Sequence, residues 1–150
     1  MKTFITKSER QTINLGKKLS KQFFAGLIVL LNGEMGAGKT AITKGFSRGL
    51  KISEPVTSPT FTIMNEYHSG KLPLYHFDMY RLEDSNEAYE FGLTDYFIKS
   101  ENTNIVAGVS VIEWAEKVQN LIPERPIIKI NIIKLDENER QIEVEESLWT

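Results

Sequence analysis

Apolar positions Ile13, Leu15, Leu19 and Phe23 recur near helical spacing behind Ser8-Glu9-Arg10-Gln11, which has the shape of a capping box. Together they predict a helix over about 9–22, broken by Gly26. Leu27-Ile28-Val29-Leu30-Leu31 is apolar without interruption, the mark of a strand buried on both faces. A glycine-rich turn follows, and Lys39 to Leu50 reads as a second helix with Gly49 near its end. Pro55 and Pro59 bracket Val56-Thr57-Ser58, and neither suits a helix interior, so a loop is expected there. Thr60 to Tyr67 is rich in β-formers, His68-Ser69-Gly70-Lys71 reads as a turn, and Leu74 to Tyr80 completes a hairpin. On that second strand Tyr75, Phe77 and Met79 share one face. Leu74, His76, Asp78 and Tyr80 share the other, which makes Asp78 a charge inside an otherwise apolar or aromatic strand.

Further along, Ser85 is placed to cap a helix from Asn86 to Phe97 that includes Ala88, Phe91 and Tyr96, and residues 99–104 are polar and read as loop. Val109-Ser110-Val111-Ile112 predicts a short strand ending at Glu113-Trp114, and Ala115 to Asn120 a short helix. Pro123 and Pro126 mark a turn. Ile127–Leu135 and Gln141–Glu145 flank Asp136-Glu137-Asn138-Glu139, a hairpin signal. No internal repeat or low-complexity tract interrupts the pattern.

A chain of 150 residues fits one domain, 1–150, with a core of its own. With no cysteine there is no disulfide and no thiolate zinc site. The longest apolar run, Leu27 to Leu31, is far short of the ~20 residues needed to cross a bilayer. Met1-Lys2-Thr3-Phe4 has no apolar stretch of a signal peptide behind it, so a soluble cytoplasmic protein with no membrane partner is expected. The net charge of −2 conceals an asymmetry. Residues 1–50 carry 9 Lys+Arg and 2 Asp+Glu (+7), and residues 51–150 carry 9 and 18 (−9). A basic first third suits an anion pocket or a nucleic-acid patch, or is neutralised internally by the acidic remainder.

The chemistry concentrates in Gly33-Glu34-Met35-Gly36-Ala37-Gly38-Lys39-Thr40, which fits G-x-x-x-x-G-K-[ST] in full. Glycines let backbone N–H groups converge on phosphate oxygens. The helix that starts at the loop presents unpaired N–H groups and the positive end of its dipole to the same anion. Lys39 supplies a point charge for β- and γ-phosphates, and the Thr40 hydroxyl is a hard oxygen ligand suited to Mg²⁺. With Gly at ~7% of residues, and about 6% Lys and 12% Ser+Thr, chance matches arise in about 0.5% of chains this long. The apolar strand before the loop and the helix after it reduce that further. No Asn-Lys-x-Asp guanine motif occurs, and the few arginines (Arg10, Arg48, Arg81, Arg125 and Arg140) form no kinase-like lid segment. Elimination favours adenine.

Cleaving a γ-phosphate also needs Mg²⁺ held from a second side and a water placed in line. Glu113, at the end of the apolar strand Val109–Ile112, stands where P-loop folds hold Mg²⁺, although Asp is the commoner residue there. Asp78 is the second acid, with Arg81 as an alternative partner, and His76 lies two residues earlier on its face, where packing alone would account for it. The loop Val56-Thr57-Ser58-Pro59-Thr60 follows the helix as a switch segment does, and its hydroxyls suit γ-phosphate sensing.

These pieces resemble the bacterial TsaE (older name YjeE) family over nearly the whole chain. The resemblance is carried by Thr12 with Leu15-Gly16, the glycine-rich loop from Leu31 to Thr40, Ser58-Pro59-Thr60-Phe61-Thr62, and Asn65-Glu66-Tyr67. Leu74-Tyr75-His76-Phe77-Asp78-Met79-Tyr80-Arg81-Leu82 and Ile112-Glu113-Trp114-Ala115-Glu116 complete it. The resemblance implies an α/β, P-loop NTPase-like three-layer sandwich with a mixed central sheet. It implies binding of ATP and Mg²⁺, slow hydrolysis alone, and action with the TsaB–TsaD pair, which places threonylcarbamoyl on tRNA, with tRNA met only through that complex. By position, the nucleotide-binding residues are Gly33, Glu34, Met35, Gly36, Ala37, Gly38, Lys39, Thr40 and Ala41, with Thr60 in the switch-like segment and Thr12 toward the adenine. Lys39, Asp78 and Glu113 take the catalytic positions, and Thr40 and Glu113 those of the metal ligands. Asn32 and Met35 stand where the family often has acidic or Leu residues, and the tail after Glu116 matches loosely. Three other readings stay open at this stage. They are a small-molecule kinase, a nucleotide-gated binding module with incidental turnover, and a protein that touches tRNA directly through its basic first third.

Overall fold

The computed structural model describes residues 1–96, 104–123 and 126–147. Its strands are β1 (Lys2–Thr6), β2 (Ile28–Gly33), β3 (Met64–Tyr67), β4 (Leu74–Asp78), β5 (Val109–Glu113), β6 (Ile127–Lys134) and β7 (Arg140–Ser147). They form one sheet in the order β1-β7-β6-β2-β5-β4-β3. The four central strands β6, β2, β5 and β4 run parallel, and β3, β7 and β1 add antiparallel edges. The expected mixed sheet is present. The apolar run explains its centre: Val29 and Leu31 pack into one core, Ile28 and Leu30 into another on the opposite face.

The first core lies beneath α1 (Glu9–Ser20) and α2 (Lys39–Gly49), and the second beneath α3 (Ser85–Glu90) and short 3₁₀ segments at 93–96 and 115–121. Ser8 caps α1 by accepting from the Gln11 N–H at 3.1 Å, but the Gln11 side chain reciprocates one residue early, on the Lys7 N–H at 2.7 Å. Helices α1 and α2 meet backbone to backbone. A Cβ on Gly45 would lie 2.1 Å from the Ile13 carbonyl oxygen, and one on Gly16 would lie 2.3 Å from that of Ile42. Only glycine permits this approach, which holds α2 against α1.

Several expected boundaries move. Strand β1 was not read from the sequence, because its residues are mostly exposed and its order comes from pairing with β7. Helix α1 stops at Ser20, and β3 starts at Met64, because Thr60–Thr62 form a turn and Ile63 takes a left-handed φ of 68°. The helix expected over 86–97 is split by Gly92 (φ 73°), and its cap is Asp84 rather than Ser85: the Asp84 carboxylate accepts from the N–H groups of Asn86 and Glu87. The 115–121 segment is 3₁₀ and kinked at Val118. The β6–β7 hairpin forms as expected, its turn closed by Asp136, which accepts from the N–H groups of Asn138 (2.8 Å) and Glu139 (2.7 Å). Phe97, the 99–103 part of the expected loop, and Arg125 lie outside the described residues. Among the described residues no helix is long and apolar enough to cross a membrane.

Candidate functional site

Parallel strands deliver their last residues to one edge of a sheet, and ligands of open α/β sheets bind beyond that edge. Register does this here: Asp78 at the end of β4 lies opposite Glu113 at the end of β5, and Glu113 lies opposite Leu31 of β2. Two residues past Leu31, β2 gives way to the glycine-rich loop. Gly36 (φ 80°) and Gly38 (φ 114°) both occupy the left-handed region, and Gly38 precedes the first residue of α2. A Cβ on Gly36 would meet nothing within 4 Å, so the loop faces open space there. Helix geometry leaves the first N–H groups of α2 without carbonyl partners, facing the same space.

The Lys39 ammonium lies 3.5 Å from Glu113 Oε1, with both side chains largely buried (10% and 5% exposed). It also sits 5.2 Å from the centre of the Trp114 ring, which packs against the Tyr80 ring at 4.8 Å with the planes tilted by 52°. The other oxygen of Glu113 bonds Nε2 of the fully buried His76 at 2.5 Å, while His76 Nδ1 has no hydrogen-bond partner among the described residues. His76, which packing alone would account for in the sequence, anchors Glu113. The buried Asp78 accepts from the Tyr80 N–H (3.0 Å) and the Thr60 hydroxyl (3.3 Å), and Ser58 Oγ lies 2.7 Å from Thr60 Oγ1. Arg81 instead stacks on Phe61 at 4.6 Å.

Backbone strain marks both acids. Ile63 and Trp114 are two of the three non-glycine residues at positive φ among those described, and such a φ is costly for branched or bulky side chains. The Ile63 carbonyl accepts from the Asp78 N–H at 2.8 Å, and Trp114 follows Glu113 directly. Ile63 thus turns the chain into β3 beside the backbone of Asp78, and Trp114 turns it out of β5 directly after Glu113.

One cavity of about 760 Å³ gathers these groups. Thr12, Glu34, Met35, Gly36, Gly38, Lys39, Thr40, Ala41, Thr60, Asp78 and Glu113 all line it. Gly33 and Ala37 do not: Ala37 is buried in the core, and a Cβ on Gly33 would press on it at 3.2 Å. The Thr12 hydroxyl is already committed to Thr6 (2.8 Å) and the Ser8 carbonyl (3.3 Å). The lining also holds Arg140, Glu137 and Asn138 from the β6–β7 hairpin, which sequence reasoning missed. Arg140 Nε donates to the Ala37 carbonyl at 2.7 Å and Nη2 to that of Gly36 at 3.3 Å, while Nη1 donates to the carbonyls of Asp136, Glu137 and Glu139. No local signal ties position 140 to position 37.

A parallel-centred sheet, a glycine-rich turn into a lysine-led helix and an acid ending the neighbouring strand make this a P-loop NTPase-like α/β fold. A solved structure agrees: the chain is similar to the crystal structure of Bacillus subtilis YdiB with a TM-score of 0.74 and 34% identity, over 94% of this chain and 82% of that one. The family model described as threonylcarbamoyl adenosine biosynthesis protein TsaE matches residues 6–142, and the chain belongs to the TsaE family. It is 42% identical over 145 residues to the tRNA threonylcarbamoyladenosine biosynthesis protein TsaE of Nostoc sp., covering 95% of this chain and 84% of the relative. It is 44% identical over 117 residues to the protein of the same name from Bacillus subtilis, covering 78% and 68%, and 36% identical over 140 residues to that of Treponema pallidum, covering 93% and 97%.

Proposed function

We propose that this chain binds ATP with Mg²⁺ and hydrolyses it to support and reset a TsaB–TsaD complex that makes threonylcarbamoyladenosine in tRNA. The observation that carries the reading is the convergence of the open glycine loop, Lys39 and two buried carboxylates in one cavity. Family membership supports the tRNA-modification context.

The donor set fits Mg²⁺. Among the described residues no group of three or more His, Cys, Asp and Glu forms a ready cage. Mg²⁺ does not need one, since it keeps several waters and takes one or two protein ligands beside substrate phosphates. The Thr40 hydroxyl and Glu113 carboxylate are two such hard oxygens. When bound, the ion neutralises charge on the β- and γ-phosphate oxygens.

The protein's own groups do the rest. The N–H groups of the glycine loop and of the first turn of α2 hold the phosphates. Lys39 leaves Glu113 for the phosphate oxygens, where its charge is worth most as negative charge builds in the transition state. Asp78, fixed by Thr60 and by the Tyr80 N–H, orients the attacking water. The new P–O bond forms as the bond to the ADP oxygen breaks, and the proton of the water ends on phosphate. Catalysis is positioning and charge neutralisation, with no covalent intermediate. Turnover alone is slow, because the few cations of the cleft leave a place for a partner to complete it.

The test is a set of variants. Lys39→Ala should weaken ATP binding about a hundredfold in calorimetry, the scale of a lost charged contact to phosphate. Asp78→Asn and Glu113→Gln should keep ATP affinity within about threefold and slow hydrolysis about 10²–10³-fold, as loss of a preorganised charged group does. Undiminished ATP affinity in Lys39→Ala would refute the pocket assignment. If Glu113→Gln, slowed in hydrolysis to that extent, sustained repeated rounds of tRNA modification by TsaB and TsaD at the wild-type rate, the chain would be a nucleotide-gated module instead.

A further inference from the structure

The basic first third of the chain is only partly absorbed by the cleft. Helices α1 and α2 both end about 16 Å from the glycine loop, given the 11 residues of α2 at 1.5 Å each. Here a second concavity of about 510 Å³ is lined by Lys17, Lys21, Lys51 and Lys71, and no acidic residue lines it.

These lysines come from distant parts of the sequence, and the backbone holds them together. A Cβ on Gly49 would lie 1.6 Å from Ser20 Oγ, so the two helix ends touch. Lys51 takes a left-handed φ of 63°, and the Lys71 N–H donates to the Leu50 carbonyl at 2.7 Å. All four side chains are exposed, and none takes part in a salt bridge among the described residues, where the bridging lysines are Lys39, Lys44 and Lys134. Glu54, the nearest acid along the chain, turns to the His68 N–H instead. The helix C-termini supply partial negative charge but no counter-ion. Four unpaired ammonium groups converging on a hollow are an electrostatic cost in the free protein, and a polyanion removes it. Lysines act as point charges toward phosphate without the planar fork that carboxylates favour in arginine. Lys17 and Lys21 come from the basic first third and Lys51 and Lys71 from beyond it, so the fold gathers positive charge here that the sequence spreads apart.

We propose that this lysine-lined hollow is a docking surface for the phosphate backbone of structured RNA, separate from the nucleotide cleft. The proposal stands apart from ATP hydrolysis, and its test does not use that activity.

The experiment is fluorescence anisotropy of the full chain with a labelled, unmodified tRNA transcript across a salt series. Four phosphate contacts predict an affinity that falls about a hundredfold between 50 and 200 mM salt. Changing Lys17, Lys21, Lys51 and Lys71 together to Gln should flatten the salt slope by about one unit per lysine. Changing the same four to Arg should restore affinity to within about threefold of the wild type, since phosphate contact needs only the charge. Lys2→Gln with Lys129→Gln, two exposed lysines elsewhere, should leave binding unchanged. Thermal unfolding of each variant separates lost binding from lost folding. The proposal is overturned if the Gln variant binds RNA as tightly as the wild type, or if inorganic phosphate at constant ionic strength displaces the RNA, which would make this a small-anion site. It is equally overturned if the wild type binds no RNA in the 50 mM salt arm.

Discussion

Arg140 is the clearest case in which the fold places a cation that the motif does not contain. Its guanidinium joins the hairpin turn to the back of the glycine loop through the Ala37 and Gly36 carbonyls, at 2.7 and 3.3 Å. Arg140 lines the same cavity as Gly36 and Gly38, so holding these two carbonyls restrains the backbone that carries the loop N–H groups. Arg140→Ala deletes both bonds and the three to the turn. A hydrogen bond from a charged donor is worth about 1.5–3 kcal/mol net, so the short bond to Ala37 at this half-buried site alone sets a minimum loss of about 2 kcal/mol. If that loss falls on the loop, ATP affinity drops about 30-fold. If it falls on global stability, the melting temperature drops by about 4–8 °C for a domain of this size. Titration calorimetry with an ATP analogue, alongside a thermal melt, separates the two. Arg140→Lys keeps the charge but not the planar fork, and should recover less than half of the loss. The reasoning is refuted if Arg140→Ala binds the analogue within about twofold of the wild type and melts within about 1 °C of it, both smaller than even one net hydrogen bond allows.

Two further outcomes follow from the scaffold. Gly45→Ala places a methyl 2.1 Å from the Ile13 carbonyl oxygen and 2.8 Å from Gly16 Cα, where only backbone can move. It should cost about 3 kcal/mol in urea unfolding, the upper range for overpacking, and an unchanged midpoint would show that the helices need no such contact. Asp136 has its carboxyl held below the usual aspartate range, chiefly by the N–H groups of Glu139 and Asn138. Its contribution to hairpin stability is complete above the ordinary aspartate value and is lost as pH falls through the lowered one. Amide shifts of Asn138 and Glu139 should therefore titrate below about pH 4 in the wild type and stay flat in Asp136→Asn.

The sequence carried the fold's centre and most of the cleft because their signals are local. An unbroken apolar run predicts a strand covered on both faces, and Ile28–Leu31 is one. The glycine, lysine and threonine spacing of the loop is fixed by how a chain leaves a strand and enters a helix, so residues 33–40 name their own geometry. Glu113 stands out as an acid ending an apolar strand and Asp78 as a charge inside an otherwise apolar or aromatic one. What was not legible depends on pairing between distant segments. Strand β1 has too little buried surface to alternate, and only β7 orders it. Arg140 reads as one more polar hairpin residue until β7 is laid beside β6 and β6 beside β2. The early start expected for β3 failed because β-rich composition does not reveal a turn whose exit, Ile63, takes a left-handed φ to reach Asp78. The 86–97 helix failed at Gly92 for the same kind of reason: side-chain period continues across a residue whose backbone does not.

The arrangement of Lys39, Glu113 and His76 ties these observations to the proposed activity. A carboxylate as buried as that of Glu113 is costly without partners, and it has two, the Lys39 ammonium and His76 Nε2. Lys39 is likewise buried, with the Trp114 ring as its other neighbour. Neither group can therefore change partner alone. If Lys39 turns to a phosphate, Glu113 keeps only His76 and needs a replacement cation; if Glu113 takes a cation first, Lys39 needs an anion. Under the proposed activity, charge balance in this confined space would couple the arrival of the nucleotide to that of Mg²⁺. His76 keeps the carboxylate in place during the exchange, which gives a histidine buried on an apolar strand a reason to be there.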